Sequence, residues 1–275
     1  QAYFRAARMV RGAETALAYL RQRIRRLGPL SAAPAMTLFE CLEELDRATE
    51  AMTVLDEALA AHPEDGALLL FAARNAVEIK RADEFLARAR GRSRELDWLK
   101  VAARIHRQRG ELTEALQRWE QVAAAEPLDL GAQRAIASLK HELGGRATTV
   151  EYLRAVSERF PHHQDLCELF VDWLDEAPLP QQEAALQRLL DLNPTNAWAQ
   201  RQLALVLARQ RRFEEAHARA NIARELAPNT VSWHSAIGNI YFLEGRREAA
   251  REQFRHALRL SVDSERIRGM ARRNE

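Results

Sequence analysis

The chain is poor in several residue types, and each shortage excludes a class of protein. Aromatic residues make up 7% of its 275 residues, and it contains two cysteines, nine prolines and eleven glycines. The cysteines, Cys41 and Cys167, lie far apart, which excludes a disulfide-rich scaffold and indicates two buried thiols. Alternating runs of valine, isoleucine and threonine are nearly absent, so little or no β-strand is predicted. No apolar run reaches about 18 residues, so we predict no membrane span.

Recognisable catalytic and cofactor-binding motifs are also missing. The sequence contains neither GxGxxG nor GxxxxGK[ST], and no histidine pairs with a serine or cysteine in a known nucleophile pattern. His163 and Cys167 are four residues apart, next to His162, and two ligands at this spacing share a helix face. No CxxC pair accompanies them, and Cys167 occupies a core-type position. We therefore predict no catalytic residue, no cofactor and no metal, and hence a protein that is not an enzyme.

Net charge is also small. The formal value of +2 does not indicate the strongly basic surface of a nucleic-acid-binding protein, so no specific nucleic acid is predicted as a partner. The first 31 residues are the exception, with seven arginines and one glutamate. The stretch LRQRIRRL, residues 20–27, suits contact with an anionic membrane, a nucleic acid or an acidic protein. It is equally the soluble outer face of an amphipathic helix, and no aromatic platform for stacking bases accompanies it.

What the chain has in abundance is alanine, leucine, arginine and glutamate, all strong helix formers. Prolines recur after amphipathic runs, as in LAAHPED, DLNPTN and ELAPNT. From Pro127, the prolines that end such runs follow after 34, 33 and 34 residues, at Pro161, Pro194 and Pro228. Since proline cannot continue a helix, each one marks a helix end and the turn into the next helix. A period of this length indicates a repeat protein.

Each period carries small and large residues at matching positions. The clearest copy, residues 231–264, has Ile237-Gly238, Tyr241, Gly245, Ala250, Phe254 and Ala257. This pattern resembles the tetratricopeptide repeat (TPR), whose signature is W-x2-L-G-x2-Y, A-x3-F, P. The copy departs from it in two places, because Trp233 stands one position early and Val262 replaces the usual proline. The resemblance implies an all-α, right-handed α-solenoid of stacked antiparallel helix pairs, the TPR superhelix.

The repeat also has a physical explanation. Small side chains at Gly238, Ala250 and Ala257 allow neighbouring helices to approach closely. Tyr241 and Phe254 fill the space beside them. Gly245 provides the tight turn inside the pair. We therefore assign these recurrent positions to packing.

The predicted organisation follows the proline period. Residues 1–31 form a degenerate N-terminal helix pair, residues 32–264 about seven TPR units, and residues 265–275 a C-terminal capping helix. The units are 32–65, 66–95 (a short one), 96–129, 130–163, 164–196, 197–230 and 231–264.

The TPR resemblance places positions five, nine and twelve of each first helix on a concave groove. From these positions we take seven partner-binding residues: Arg74, Lys100, Arg104, Arg107, Arg134, Arg201 and Asn239. Because guanidinium groups bind carboxylates bidentately, the hypothesis is an acidic or C-terminal peptide along Arg74 to Arg134. The alternative is a solvated surface of intramolecular Arg–Glu pairs. The two-carboxylate clamp of chaperone-binding TPR domains is not reproduced, since Arg104 replaces its asparagine.

The sequence thus predicts a non-catalytic scaffold or adaptor that binds a protein or peptide in the groove. The alternative is the repeat domain of a larger enzyme or of a secretion or polysaccharide-export machine, with its catalytic or membrane part outside this chain. Self-association through the ends is a third hypothesis. A cytoplasmic location is favoured, and a removed leader or upstream domain stays open because the chain begins at Gln1.

Overall fold

The computed structural model describes residues 12–28, 31–76 and 78–273, without the side chains of residues 79 and 263–273. The protein is 80% helical, and its described residues contain fourteen helices and no strand, which confirms the all-α prediction. The helices are α1 (Ala13–Leu27), α2 (Ala33–Glu43), α3 (Ala48–Ala61), α4 (Gly66–Asn75), α5 (Ile79–Ala89), α6 (Glu95–Gln108), α7 (Leu112–Ala125), α8 (Leu130–Arg159), α9 (Gln164–Asp172), α10 (Leu179–Leu192), α11 (Ala197–Arg209), α12 (Phe213–Leu226), α13 (Val231–Leu243) and α14 (Arg247–Arg273).

Helices α4, α8, α11 and α13 begin in the same way. In each case, the side chain two residues after a repeat proline accepts a hydrogen bond from a backbone N–H of the first helical turn. These capping residues are Asp65, Asp129, Asn196 and Thr230, with N···O distances of 2.9 to 3.1 Å. Such a cap satisfies a backbone donor that the helix itself leaves unpaired. The proline and the cap together therefore set where one repeat ends and the next begins.

A buried polar side chain fastens the start of several first helices to the preceding turn. Gln133 and Gln200 donate from Nε2 to the carbonyl oxygen of the proline six residues earlier, at 2.8 and 3.0 Å. Cys167 occupies the equivalent position, with its Sγ 3.9 Å from the Pro161 oxygen. All three side chains are buried. These contacts give the three proline carbonyls a side-chain donor from the helix that follows the turn.

In four helix pairs, the turn inside the pair holds a left-handed residue at the same position of the repeat. Gly110 and Gly245 have φ of 78° and 87° there, which confirms the turn predicted at Gly245. Asp46 and Arg211 occupy the same position in their repeats with φ of 56° and 64°. Residues other than glycine therefore adopt the same left-handed conformation in these two turns.

The chain divides into two compact units, one extending to Leu139 and the other beginning at Lys140. In the first unit α2 packs on α3, α4 on α5 and α6 on α7, and the first helices α2, α4 and α6 contact one another in succession. Trp98 of α6 joins two of these pairs. Its Nε1 donates to the Leu86 carbonyl of α5 at 2.9 Å, and the Arg90 guanidinium lies 5.3 Å from its ring centroid.

The second unit uses the same arrangement. Helix α11 packs on α12, α13 on α14, and α11 also contacts α13. Trp233 of α13 donates from Nε1 to the Ala220 carbonyl at 2.9 Å, beneath the Arg224 guanidinium at 5.7 Å. The same tryptophan and arginine pairing thus joins successive repeats in both units.

Helix α8 is interrupted at Gly145, where φ is 79° and ψ is −177°. The Lys140 Nζ lies 5.2 Å from the Tyr152 ring centroid across this break. In a straight helix these two residues would be separated by about 18 Å. Within the second unit, the chain therefore turns back at Gly145, which brings Lys140 close to Tyr152.

Small residues in the last pair have the predicted packing role. Ala250 and Ala257 are buried, and a Cβ built on Gly238 would lie 2.8 Å from the Phe254 ring. The ring of Phe254 therefore occupies the space that the glycine leaves, as expected.

The unit boundaries stay a prediction. Residues 1–11 of the proposed first pair lie outside the described residues. Among the described residues of that pair, the helix is α1. The segment predicted as a capping helix, 265–275, belongs to the uninterrupted helix α14 as far as Arg273.

Candidate protein-interaction surface

A pocket of about 380 Å³ in the first unit brings together three of the predicted groove residues. We call it the basic pocket. It is lined by Lys100, Arg104, Arg107, Trp119, Asp129, Gly131 and Ala135. The three cations stand on one face of α6, because residues separated by three and four positions share a helix face. One carboxylate, Asp129, faces them from the turn before α8.

Lys100 forms ion pairs with carboxylates of the same chain. Its Nζ donates to Asp129 at 2.5 Å and to Glu126 at 3.2 Å. The hydrogen bond to Asp129 raises the pKa of Lys100 against the opposing effect of burial. Burial also opposes ionisation of Asp129, but the bonds from Lys100 and from the Ala132 N–H outweigh it and lower the pKa of that carboxyl. Lys100 therefore has two carboxylate partners within the chain.

Two further predicted residues have partners within the chain. Arg107 donates to the Ser138 hydroxyl at 3.0 Å. Arg74 lies 3.4 Å from the Glu40 carboxylate and 5.2 Å from the Phe71 ring centroid, and it lines a separate pocket of about 460 Å³. Both guanidinium groups sit at the surface, where such pairs contribute little to stability and can be exchanged for a ligand.

Arg104 and Arg134 differ from the others. Both side chains are exposed, and neither forms a hydrogen bond or ion pair with any residue that the structure describes. Arg104 lines the basic pocket, and Arg134 lies on α8 between the pocket residues Gly131 and Ala135 in sequence. Their guanidinium groups are therefore available to an external carboxylate.

The remaining two predicted residues belong to the second unit. Arg201 on α11 is partly buried, and burial lowers its pKa. It has no carboxylate partner among the described residues. Asn239 on α13 is exposed. Neither residue lines the basic pocket.

Sequence reasoning missed the carboxylates that neutralise Lys100. A signal for one of them is present, because Asp129 stands two residues after Pro127, where an Asp, Asn, Ser or Thr indicates a helix cap. A residue needed as a cap is held in place by the backbone. It is therefore also positioned to bind the lysine of the preceding first helix.

The structure also shows the surroundings of Cys167 and of the stretch LRQRIRRL, which were noted in the sequence. Cys167 is a buried free thiol whose pKa is raised by burial. No three His, Cys, Asp or Glu side chains of the described chain are arranged to hold a metal ion. In LRQRIRRL, Arg21 pairs with Glu50 of α3 at 3.0 Å. None of the helices in the described ranges is both long and apolar enough to span a bilayer.

Comparison with known proteins shows similarity at the level of structure. No protein-family model and no curated protein sequence matches the chain. Among solved structures, MamA residues 41 to the end from Desulfovibrio magneticus RS-1 and a MamA RS-1 double mutant each superpose with a TM-score of 0.50 at 18% identity. Each alignment covers 62% of this chain and 97% of the other. MamA is a TPR protein. With its stacked helix pairs and this similarity, the chain has the TPR fold.

Proposed function

We propose that the protein is a non-catalytic scaffold or adaptor that binds an acidic protein segment at the basic pocket. Arg104 and Arg134 bind the carboxylates, and Arg107 exchanges its Ser138 contact for the ligand. Lys100 keeps its structural pair with Asp129. Extended surfaces built from repeats are suited to binding protein segments in this way.

The observation that carries this proposal is the pair of exposed arginines without an intramolecular partner. Arg47 and Arg212, by contrast, are paired with Glu50 and Glu215. An arginine paired in this way loses that contact when it binds a ligand, whereas Arg104 and Arg134 have none to lose. Charge-assisted bidentate bonds to a carboxylate are also the strongest hydrogen bonds available to the chain.

The test compares capture of partners by the immobilised full chain with capture by the R104E/R134E variant. Extract from the source organism supplies natural partners, and a fluorescent hexaglutamate peptide supplies a defined probe. Each lost charge-assisted bond is worth about 1.5–3 kcal/mol, so we expect hexaglutamate affinity and partner capture to fall at least tenfold.

The matched control is R23E on α1, which reverses an exposed charge of the same unit away from the pocket. Circular dichroism should show equal helicity for all three proteins. If R104E/R134E captured partners and bound hexaglutamate as wild type does, the basic pocket would not be the binding site. Equal losses in R23E would indicate a non-specific charge effect and would also contradict the proposal.

A further inference from the structure

A pocket of about 780 Å³ lies in the first unit between α1 and α3, with α2 behind it. We call it the aliphatic pocket. Helix α2 packs on both of the other helices, and its Leu38 and Leu42 are buried at the base of the pocket. Ile24 of α1 and Val54 of α3 stand on the two walls. None of the described residues that line it is Phe, Tyr or Trp, so its apolar surface is aliphatic.

Polar contacts join the α1 side of this pocket to the α3 side at both of its ends. At one end, the Arg21 guanidinium donates to the Glu50 carboxylate at 3.0 Å. At the other end, Nε2 of His62 donates to the Gly28 carbonyl oxygen at 2.5 Å. All four residues line the pocket, so the two contacts limit the length of its opening.

Between these contacts the opening holds one charge of each sign. Arg25 of α1 and Glu57 of α3 line the pocket and are exposed, and neither forms a hydrogen bond or ion pair with any residue in the described ranges. The next groove, between α3 and α5, is crossed by three arginines instead. Their contacts are Arg81 to Asp56, Arg88 to the Pro63 carbonyl and Arg92 to Glu64, at 2.5 to 2.7 Å. The opening between α1 and α3 is therefore not closed in the same way.

The size and lining of the pocket favour a small molecule with an aliphatic body. Binding sites for small molecules are typically concave, mostly apolar and roughly 300–1,000 Å³ in volume. The aliphatic pocket has these properties, and an aliphatic chain that leaves water to enter it gains free energy in proportion to the apolar area it buries.

The charges at the opening favour a zwitterionic head group on that molecule. An anionic head group would bind Arg25 but leave Glu57 unpaired beside it, and a cationic head group would do the reverse. A phosphate joined to an ammonium group satisfies both walls, because a guanidinium binds phosphate bidentately and a carboxylate attracts a cation.

We propose that the aliphatic pocket binds a free single-chain zwitterionic phospholipid. The aliphatic chain lies over Leu38 and Leu42, the phosphate binds Arg25, and the ammonium group lies beside Glu57. Arg21 and His62 keep their contacts across the ends of the pocket. The aliphatic pocket shares no lining residue with the basic pocket, so either proposal can fail without the other.

Isothermal titration calorimetry of the full chain with octyl-, decyl- and dodecylphosphocholine tests the proposal, with each probe kept below the concentration at which it forms micelles. The three probes share a zwitterionic head group and differ in chain length. We expect affinity to rise about tenfold for each two carbons added, because each step buries two more methylene groups. Dodecanoate and dodecyltrimethylammonium, which offer one charge each, should bind about fivefold more weakly than dodecylphosphocholine.

Two sets of matched variants locate the site. A61F narrows the pocket from an exposed position of α3 and should weaken dodecylphosphocholine binding by about tenfold or more, since the chain loses buried area. A60F alters the neighbouring exposed position, which does not line the pocket, and should bind as wild type does. R25Q and E57Q should each weaken binding about fivefold, whereas R23Q on the same helix as Arg25 should not. Circular dichroism should show equal helicity for all of these proteins.

Wild type that binds none of the three phosphocholines overturns the proposal, as does equal affinity for all three or an A61F variant that binds as wild type does. R25Q and E57Q variants that lose nothing rule out the zwitterionic head group. Equal losses in A60F or R23Q contradict the assigned site. Vesicles of a two-chain phosphatidylcholine present the same head group on a bilayer and should not co-sediment with the protein. Co-sedimentation without binding of the free probes would identify a bilayer surface as the ligand and overturn the proposal.

Discussion

Gly238 illustrates how the repeat acts through single side chains. The sequence predicted that small residues admit a neighbouring helix and that Phe254 fills the space beside them, and the ring lies at that place. Similarly, buried glutamines secure the prolines that end the helices. The first contact could be predicted because it follows from side-chain volume at a fixed spacing. The second could not, because Gln133 and Gln200 are ordinary polar helix residues until the turn above them is known.

We predict that G238A destabilises the protein by about 1 kcal/mol, because its Cβ would overlap the Phe254 ring and force the ring to move, while the higher helix propensity of alanine offsets part of this cost. Urea denaturation followed by circular dichroism measures the loss. In the G238A/F254A double variant no ring is present to clash, so the combined loss should be smaller than the sum of the two single losses. Strict additivity would show that the two residues do not interact in this way.

At the scale of the element, four of the turns inside helix pairs hold one residue in a left-handed conformation. Asp46 and Arg211 adopt it without being glycines. The side chain of Arg211 is exposed, and no hydrogen bond or ion pair joins it to the described part of the chain. Its left-handed backbone therefore costs free energy that no side-chain contact offsets.

For this reason R211G should raise the free energy of unfolding by about 0.5–1 kcal/mol, the left-handed penalty less the greater flexibility of glycine in the unfolded chain. The reverse substitution at the same position of the next repeat, G245A, should lower it by about 1–2 kcal/mol. Thermal denaturation of both variants measures the two shifts. A lowered midpoint for R211G would contradict this account of the turn.

Several helix ends were predictable, because a proline beyond the first turn of a helix stops it and the 34-residue period fixes the phase. The contacts of the proposed binding residues were less predictable. Lys100 and Arg104 are one turn apart on α6, and sequence treats them alike. In the structure only Lys100 meets Asp129 and Glu126. The cap signal at Asp129 marks the turn before α8, but it does not say which of the two cations this carboxylate meets.

At the scale of the whole molecule, ionised carboxylates in several repeats favour the folded state. Glu50 and Glu215 have lowered pKa values because Arg47 and Arg212 bind them, and Glu183 has one because Gln210 and Arg212 do. Asp129 belongs to the same group. A carboxyl whose folded-state pKa is depressed stabilises the fold above its unfolded value, and the contribution disappears as pH falls through the folded value.

We therefore expect the urea midpoint of wild type to fall as the pH drops below about 4. In D129N the asparagine keeps the helix cap but not the charge, so at neutral pH the variant should be about 1–2 kcal/mol less stable. The difference between the two proteins should shrink as the pH falls through the lowered pKa of Asp129, because the carboxyl then loses its charge as well. Parallel pH profiles for wild type and D129N would show that this carboxylate does not contribute through its charge.

Within each unit, the described helix contacts join helices that are next to one another, or next but one, along the chain. Such contacts are local, and local contacts form quickly because little loop entropy is lost in making them. When a helix pair emerges from the ribosome, the preceding pair that it packs against has therefore already been synthesised. The protein can assemble in the order of its synthesis, one hairpin of helices at a time.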